Sequence, residues 1–94
     1  MCTQCCQRRS PDLSIDQDRV LATILSAWDG VCVYDTDNEG LVLMVGHKGS
    51  EYHFSLVARN GERQRISDPL NQSHWLEEIV SGRLSLLWSE LAYH

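Results

Sequence analysis

No stretch of this chain holds the ~18 consecutive apolar residues that a membrane-crossing helix needs. Nor does it open on a cationic segment followed by an apolar core, so a secretory leader is not expected and the cytoplasm is the expected compartment. Basic residues are scarce, with 8 Lys and Arg against 13 Asp and Glu and a formal net charge of -5. Arg8 with Arg9, and Arg59 with Arg63 and Arg65, are the only small basic groups, and neither makes a stripe that would hold a phosphate backbone. Nucleic acid is therefore not an expected partner. No glycine-rich loop has the spacing that cradles phosphates, and no Cys-x-x-Cys pair recurs. Neither internal repeats nor low-complexity segments occur.

What remains is an ordinary globular composition, 43% hydrophobic and 22% charged over 94 residues. That length suits one core of modest size. Residues 1–12 show no apolar period and read as a flexible N-terminal tail, with a single domain expected over 13–94. Three of the four cysteines, Cys2, Cys5 and Cys6, lie in that tail, and the fourth is Cys32. This is no disulfide framework, and in a reducing compartment all four should be thiols.

Ser14 and Gln17 have the spacing of a capping box. Val20, Leu21, Ile24, Leu25 and Trp28 follow on one helical stripe, predicting a first helix over 14–29 with Gly30 as its stop. The period then shortens. Val31–Tyr34 reads as a strand, and 35–40 as a polar turn. Leu41–Val45 is apolar on both faces, as a strand covered on both sides would be. His47–Ser50 reads as a second turn, and Glu51–Ala58 as an alternating strand. Asn60-Gly61 marks a hairpin returning through Arg63–Ser67.

Two registers compete for that hairpin. A two-residue turn puts Arg63 and Arg65 on the face of Phe54 and Leu56. A three-residue loop with Gly61 in a bulge sets Ala58 against Glu62, Leu56 against Gln64 and Phe54 against Ile66. One residue of slip swaps the faces, and the apolar pattern selects the bulged register.

Asp68-Pro69 ends that strand. Asn71 or Ser73 is the expected cap of a short second helix carrying Trp75, Leu76, Ile79 and Val80 on one face, with Gly82 as its end. The period of residues 83–92 fits either element, and a strand over Arg83–Trp88 is preferred because Gly82 separates it from the helix. The expected fold is α+β, a small antiparallel meander of about four to five strands with an N-terminal helix and a short C-terminal helix packed on it. The second face of the central strand should be covered by the second helix or by another subunit, a homodimer through a sheet face.

Four constellations could carry chemistry. Cys2, Cys5 and Cys6 begin a zinc site but lack a fourth ligand at any standard spacing. Asp35-Thr36-Asp37-Asn38-Glu39-Gly40 echoes the first half of a calcium loop, yet position twelve is Gly46 instead of a bidentate Glu. The histidines His47, His53, His74 and His94 show no spacing to a nucleophile and an orienting acid. Three Trp and three Tyr are generous for this length, and Trp88 and Tyr93 are the expected exposed members.

The expected function follows mainly from these exclusions. It is a small acidic, non-enzymatic protein-binding regulator or inhibitor, with neither cofactor nor metal. Asp35, Asp37, Glu39, Trp88 and Tyr93 would meet a larger protein partner that offers a basic surface. Anti-CRISPR-like anti-defence proteins of phages and mobile elements supply the analogy. A metal- or thiol-dependent sensor built on the cysteine cluster is the alternative, and a small enzyme the third class.

Overall fold

The computed structural model describes residues 13–91. The cysteine cluster at Cys2, Cys5 and Cys6 and the aromatic Tyr93 lie outside the described residues. The elements run α1 (Ile15–Ala27), β1 (Gly30–Asp35), β2 (Val42–Lys48), β3 (Glu51–Val57), β4 (Arg63–Ile66), α2 (Pro69–Val80) and β5 (Ser85–Leu91). The five strands form one sheet in the order β4-β3-β2-β1-β5, antiparallel throughout. This is the expected α+β fold with an N-terminal and a short C-terminal helix; β1 to β4 form the meander, whereas β5 follows α2 across the sheet and pairs beside β1. Among the described residues no helix is long and apolar enough to cross a membrane.

The capping box forms as its spacing requires. The Ser14 hydroxyl accepts from the Gln17 N–H at 3.1 Å, and the Gln17 side-chain oxygen accepts from the Ser14 N–H at 2.9 Å. Such a cap is worth about 1 kcal/mol. Helix α1 ends differently from expectation. Gly30 is not its stop but the first residue of β1, with an ordinary backbone. A Cβ there would lie 2.5 Å from the His47 ring and 3.0 Å from the Glu90 carbonyl oxygen. Close approach, and not a left-handed turn, is why glycine stands at this position.

Strand β2 runs on through His47 and Lys48, which pair with Tyr52 and Glu51. The turn expected at 47–50 shrinks to Gly49 and Ser50, because Gly49 takes φ +61 and two residues then suffice to close the hairpin. The β3–β4 hairpin adopts the bulged register. Phe54 opposes Ile66 and Leu56 opposes Gln64, while Ala58 donates to the Glu62 carbonyl at 2.9 Å and Gly61 sits at φ +86.

Strand alternation splits the interior into two clusters. On one face Leu21 and Ile24 of α1 pack on Val31, Val33, Val42, Met44 and Val57, with Leu13 and Trp28 at the margins. On the other, Trp75 and Ile79 of α2 pack on Leu43, Val45, Phe54, Ile66 and Leu84. The doubly apolar β2 is thus covered on both sides, its second face by α2 of the same chain. Burying a side chain such as Ile24 or Leu43 contributes roughly 1.5–3 kcal/mol.

Helix α2 starts at Pro69, earlier than the expected cap at Asn71 or Ser73. Proline is pre-organised for the first helical position, and Asp68 precedes it without a side-chain capping bond. Gly82 ends the helix at φ +80, with its own N–H on Ile79 and the Arg83 N–H on Glu78. The expected single apolar face divides: Trp75 and Ile79 face the sheet, whereas Leu76 and Val80 are exposed. Residues 85–91 form a strand, three residues longer at the C-terminal side than expected. Its ladder with β1 slips between Val33 and Tyr34, leaving Leu87 as the extra residue.

Candidate functional site

The segment from Asp35, the last residue of β1, to Gly40 carries three exposed side chains of one charge. Asp35, Asp37 and Glu39 are all exposed, while Thr36 between them is 8% exposed. The buried threonine organises the loop from within. Its hydroxyl donates to the Leu41 carbonyl at 2.7 Å and accepts from the Asn38 N–H at 3.2 Å. The Leu41 N–H in turn donates to the Asn38 carbonyl at 3.1 Å. Ser/Thr hydroxyls often organise turns in this way.

A further brace and a close neighbour come from distant parts of the chain. Gln17, 1% exposed, donates through its side-chain amide to the Gly40 carbonyl at 2.7 Å and to the Val57 carbonyl at 3.0 Å. Arg59 crosses the other side of Gly40, close enough that a Cβ there would meet its Nε at 2.5 Å. Gly40 itself holds φ +76, a conformation that side-chain-bearing residues rarely adopt. The Arg59 carbonyl accepts from the Ser14 hydroxyl at 2.6 Å, which ties the β3–β4 loop to the helix start. One cap residue and one amide therefore lock three chain segments around the acidic loop. The loop, Arg59, Val42 and Leu87 line a shallow depression at this end of the sheet.

The loop is flanked by strands and its threonine is turned inward, so it is not half of a helix–loop–helix calcium site. Among the described residues, no three His, Cys, Asp or Glu side chains come together as a ligand set.

A second polar cluster lies beside α1. His53 is 6% exposed and stacks on Trp28 with ring centroids 5.4 Å apart. Its Nε2 lies 2.9 Å from the Ser55 hydroxyl and also meets an amino group of Arg63, whose Nε donates to the same hydroxyl at 3.2 Å. Arginine has only donors, so Nε2 must accept and the neutral ring carries its proton on Nδ1. Burial, then the charges of Arg63 and Arg65, hold the His53 pKa below the usual imidazole range. A serine beside a histidine suggests a nucleophile and its base. Here Ser55 is wholly buried, and Nε2, the nitrogen that would take its proton, already meets the Arg63 guanidinium. The trio joins β3 to β4 under Trp28 and offers no substrate access.

Of the other expected site residues, Trp88 is half-buried and packs against the α1-side cluster. Cys32 is half-buried, with Tyr34 two residues on along the same strand. Burial and then Cys32 raise the Tyr34 phenol above its usual pKa. Sequence reasoning missed Arg59 and the second role of Gln17. The capping-box spacing revealed the amide oxygen's partner, but its nitrogen reaches carbonyls 23 and 40 residues away.

Compared with protein-family models, with curated proteins and with solved structures, the chain has no match.

Proposed function

We propose that this protein is a non-enzymatic binding module that regulates or inhibits a larger protein by occupying a basic surface with its β1–β2 loop. The observation that carries the reading is the loop itself: three exposed carboxylates on six residues, held by hydrogen bonds from the buried Thr36 and Gln17, with the Arg59 side chain lying against Gly40. A braced loop loses little conformational entropy on docking, so more of the contact energy appears as affinity. The net charge of -5 adds a long-range field of the same sign, which speeds encounter with a cationic partner. Carboxylates spaced along a loop offer a basic groove the charge that phosphates would otherwise supply. Blocking a nucleic-acid-binding surface, the anti-defence version of the idea, is the concrete form of inhibition this chemistry suits.

The test is affinity capture from a native lysate with wild-type protein beside the Asp35→Lys, Asp37→Lys double variant, read by mass spectrometry. A basic protein retained by wild type and lost with the variant is the expected result. Equal retention by both would remove the loop from the interface.

A further inference from the structure

Strand β4 is anchored unevenly. Ile66 is buried in the α2-side cluster, and its carbonyl accepts from the Gln72 side-chain amide at 3.0 Å. Arg63, Gln64 and Arg65 are exposed. At that end the hairpin is closed by its ladder to β3, by the Ala58 N–H donating to the Glu62 carbonyl, and by the tie from Arg63 to Ser55 and His53. The tie to His53 exists in one protonation state only. Arginine has only donors, so Nε2 holds it through a lone pair, whereas an imidazolium carries N–H on both nitrogens and accepts nothing.

We infer that the His53–Arg63 contact is an acid-released latch: when His53 takes a proton, Arg63 leaves the ring and the β3–β4 hairpin opens from its loop end, hinged at Ile66, while β1, β2 and α1 stay in place. The proton comes from solvent onto the Nε2 lone pair that Arg63 vacates, and the Ser55 hydroxyl, 2.9 Å away, accepts from the new N–H. Arg63 and Arg65 are the charges on β4 that act on the ring. On the same sheet face, two residues along β3, Glu51 stands opposite Lys48 of β2, and both are exposed. Gly46 of β2 lies opposite His53 itself. Helix α1 contributes the stacked Trp28, followed by the exposed Asp29, and at its other end Asp16, which lies against Gly61 and pairs with Arg19 at 3.8 Å. Closed, the ring is kept neutral by burial and the two arginines; open, it regains an ordinary value near 6.5, so falling pH favours opening. The latch does not depend on the acidic loop having a partner.

Nuclear magnetic resonance on the full chain between pH 7.5 and pH 4.5 tests this, reading His53 ring shifts and amide protection, the latter corrected for the intrinsic pH dependence of exchange. Protection at Ala58 and over 63–65 should fall at least about tenfold as His53 titrates, while amides of 43–45 in β2 hold theirs. His53→Gln, whose amide oxygen accepts from Arg63 at every pH, should keep Ala58 protected throughout. Arg63→Met should raise the His53 midpoint and make Ala58 protection low already at neutral pH, whereas Arg65→Met, which leaves the tie intact, should raise the midpoint but keep Ala58 protected at pH 7.5. Loss of protection at Ala58 and in β2 together would overturn the latch, since that is unfolding of the whole sheet. So would an acid loss at Ala58 that persists in His53→Gln, or a His53 midpoint unmoved by Arg63→Met.

Discussion

Gln17→Leu is the substitution from which the bracing of the acidic loop can be measured. The side chain makes three hydrogen bonds: one accepted from the Ser14 N–H at 2.9 Å, and two donated to the Gly40 and Val57 carbonyls at 2.7 and 3.0 Å. Leucine fills a similar volume and removes all three. At a net value of ~1 kcal/mol each, the expected loss is about 3 kcal/mol. For a domain of this size that is a fall in Tm of roughly 12–24 °C. Total stability should be about 5–14 kcal/mol, so the variant remains folded and measurable. Urea unfolding followed by circular dichroism gives the stability, and amide exchange of residues 36–41 gives the loop's local opening. Both should change, with the loop amides exchanging faster than those of β3. Gln17→Glu supplies an internal control. Its carboxylate keeps the acceptor for Ser14 but faces two carbonyls, so its deficit should shrink as falling pH protonates it and restores one donor. A loss below about 1 kcal/mol in Gln17→Leu, with unchanged loop exchange, would refute the reasoning.

The buried His53 makes stability depend on pH with a definite sign. Its folded pKa lies below the unfolded value near 6.5, so the contribution is complete above that value and is lost as pH falls through it towards the folded pKa. Urea midpoints between pH 8 and pH 5 should show this fall, and His53→Phe should flatten it; an unchanged slope would contradict the buried neutral ring. Gly30→Ala should cost about 1–3 kcal/mol, because the new methyl meets the His47 ring and a backbone oxygen. Gly49→Ala has open space and bears only the positive-φ penalty of about 1 kcal/mol, so thermal melts should rank Gly30→Ala as the worse variant. Deleting residues 1–12 should leave Tm nearly unchanged, whereas stoichiometric zinc that is lost with the triple Cys→Ser variant would instead make Cys2, Cys5 and Cys6 a structural site.

The parts of the fold legible in the sequence are those set by local rules. Ser14 and Gln17 announced a cap three residues apart, and Asn60-Gly61 announced a hairpin. The alternation of Phe54, Leu56 and Ile66 chose its register, because the wrong one would turn arginines into the core. Gly30 misled, since a glycine after a helical stripe usually ends the helix, and only tertiary contact with His47 reveals its use. The polar Asn71 and Ser73 point to a later start of α2, whereas Pro69, pre-organised for a first turn, begins it. At the candidate site, the carboxylates were legible as charge on a turn. The inward Thr36, the crossing Arg59 and the long reach of Gln17 were not, because each depends on which loops the sheet order brings to one end. Trp88 illustrates the same limit. Alternation alone does not fix its face, and with the slip at Leu87 it packs against the α1-side cluster.

The central claim is that the acidic loop meets a basic surface, and the association rate reports this most directly. With the captured partner immobilised, stopped-flow or surface binding kinetics are recorded over a salt series for wild type and for Asp35→Lys, Asp37→Lys. Wild type should associate fastest at low salt and slow steeply as salt rises, while the variant should associate at least about tenfold more slowly at low salt and respond little to salt. A variant that associates as fast as wild type at low salt would contradict the account.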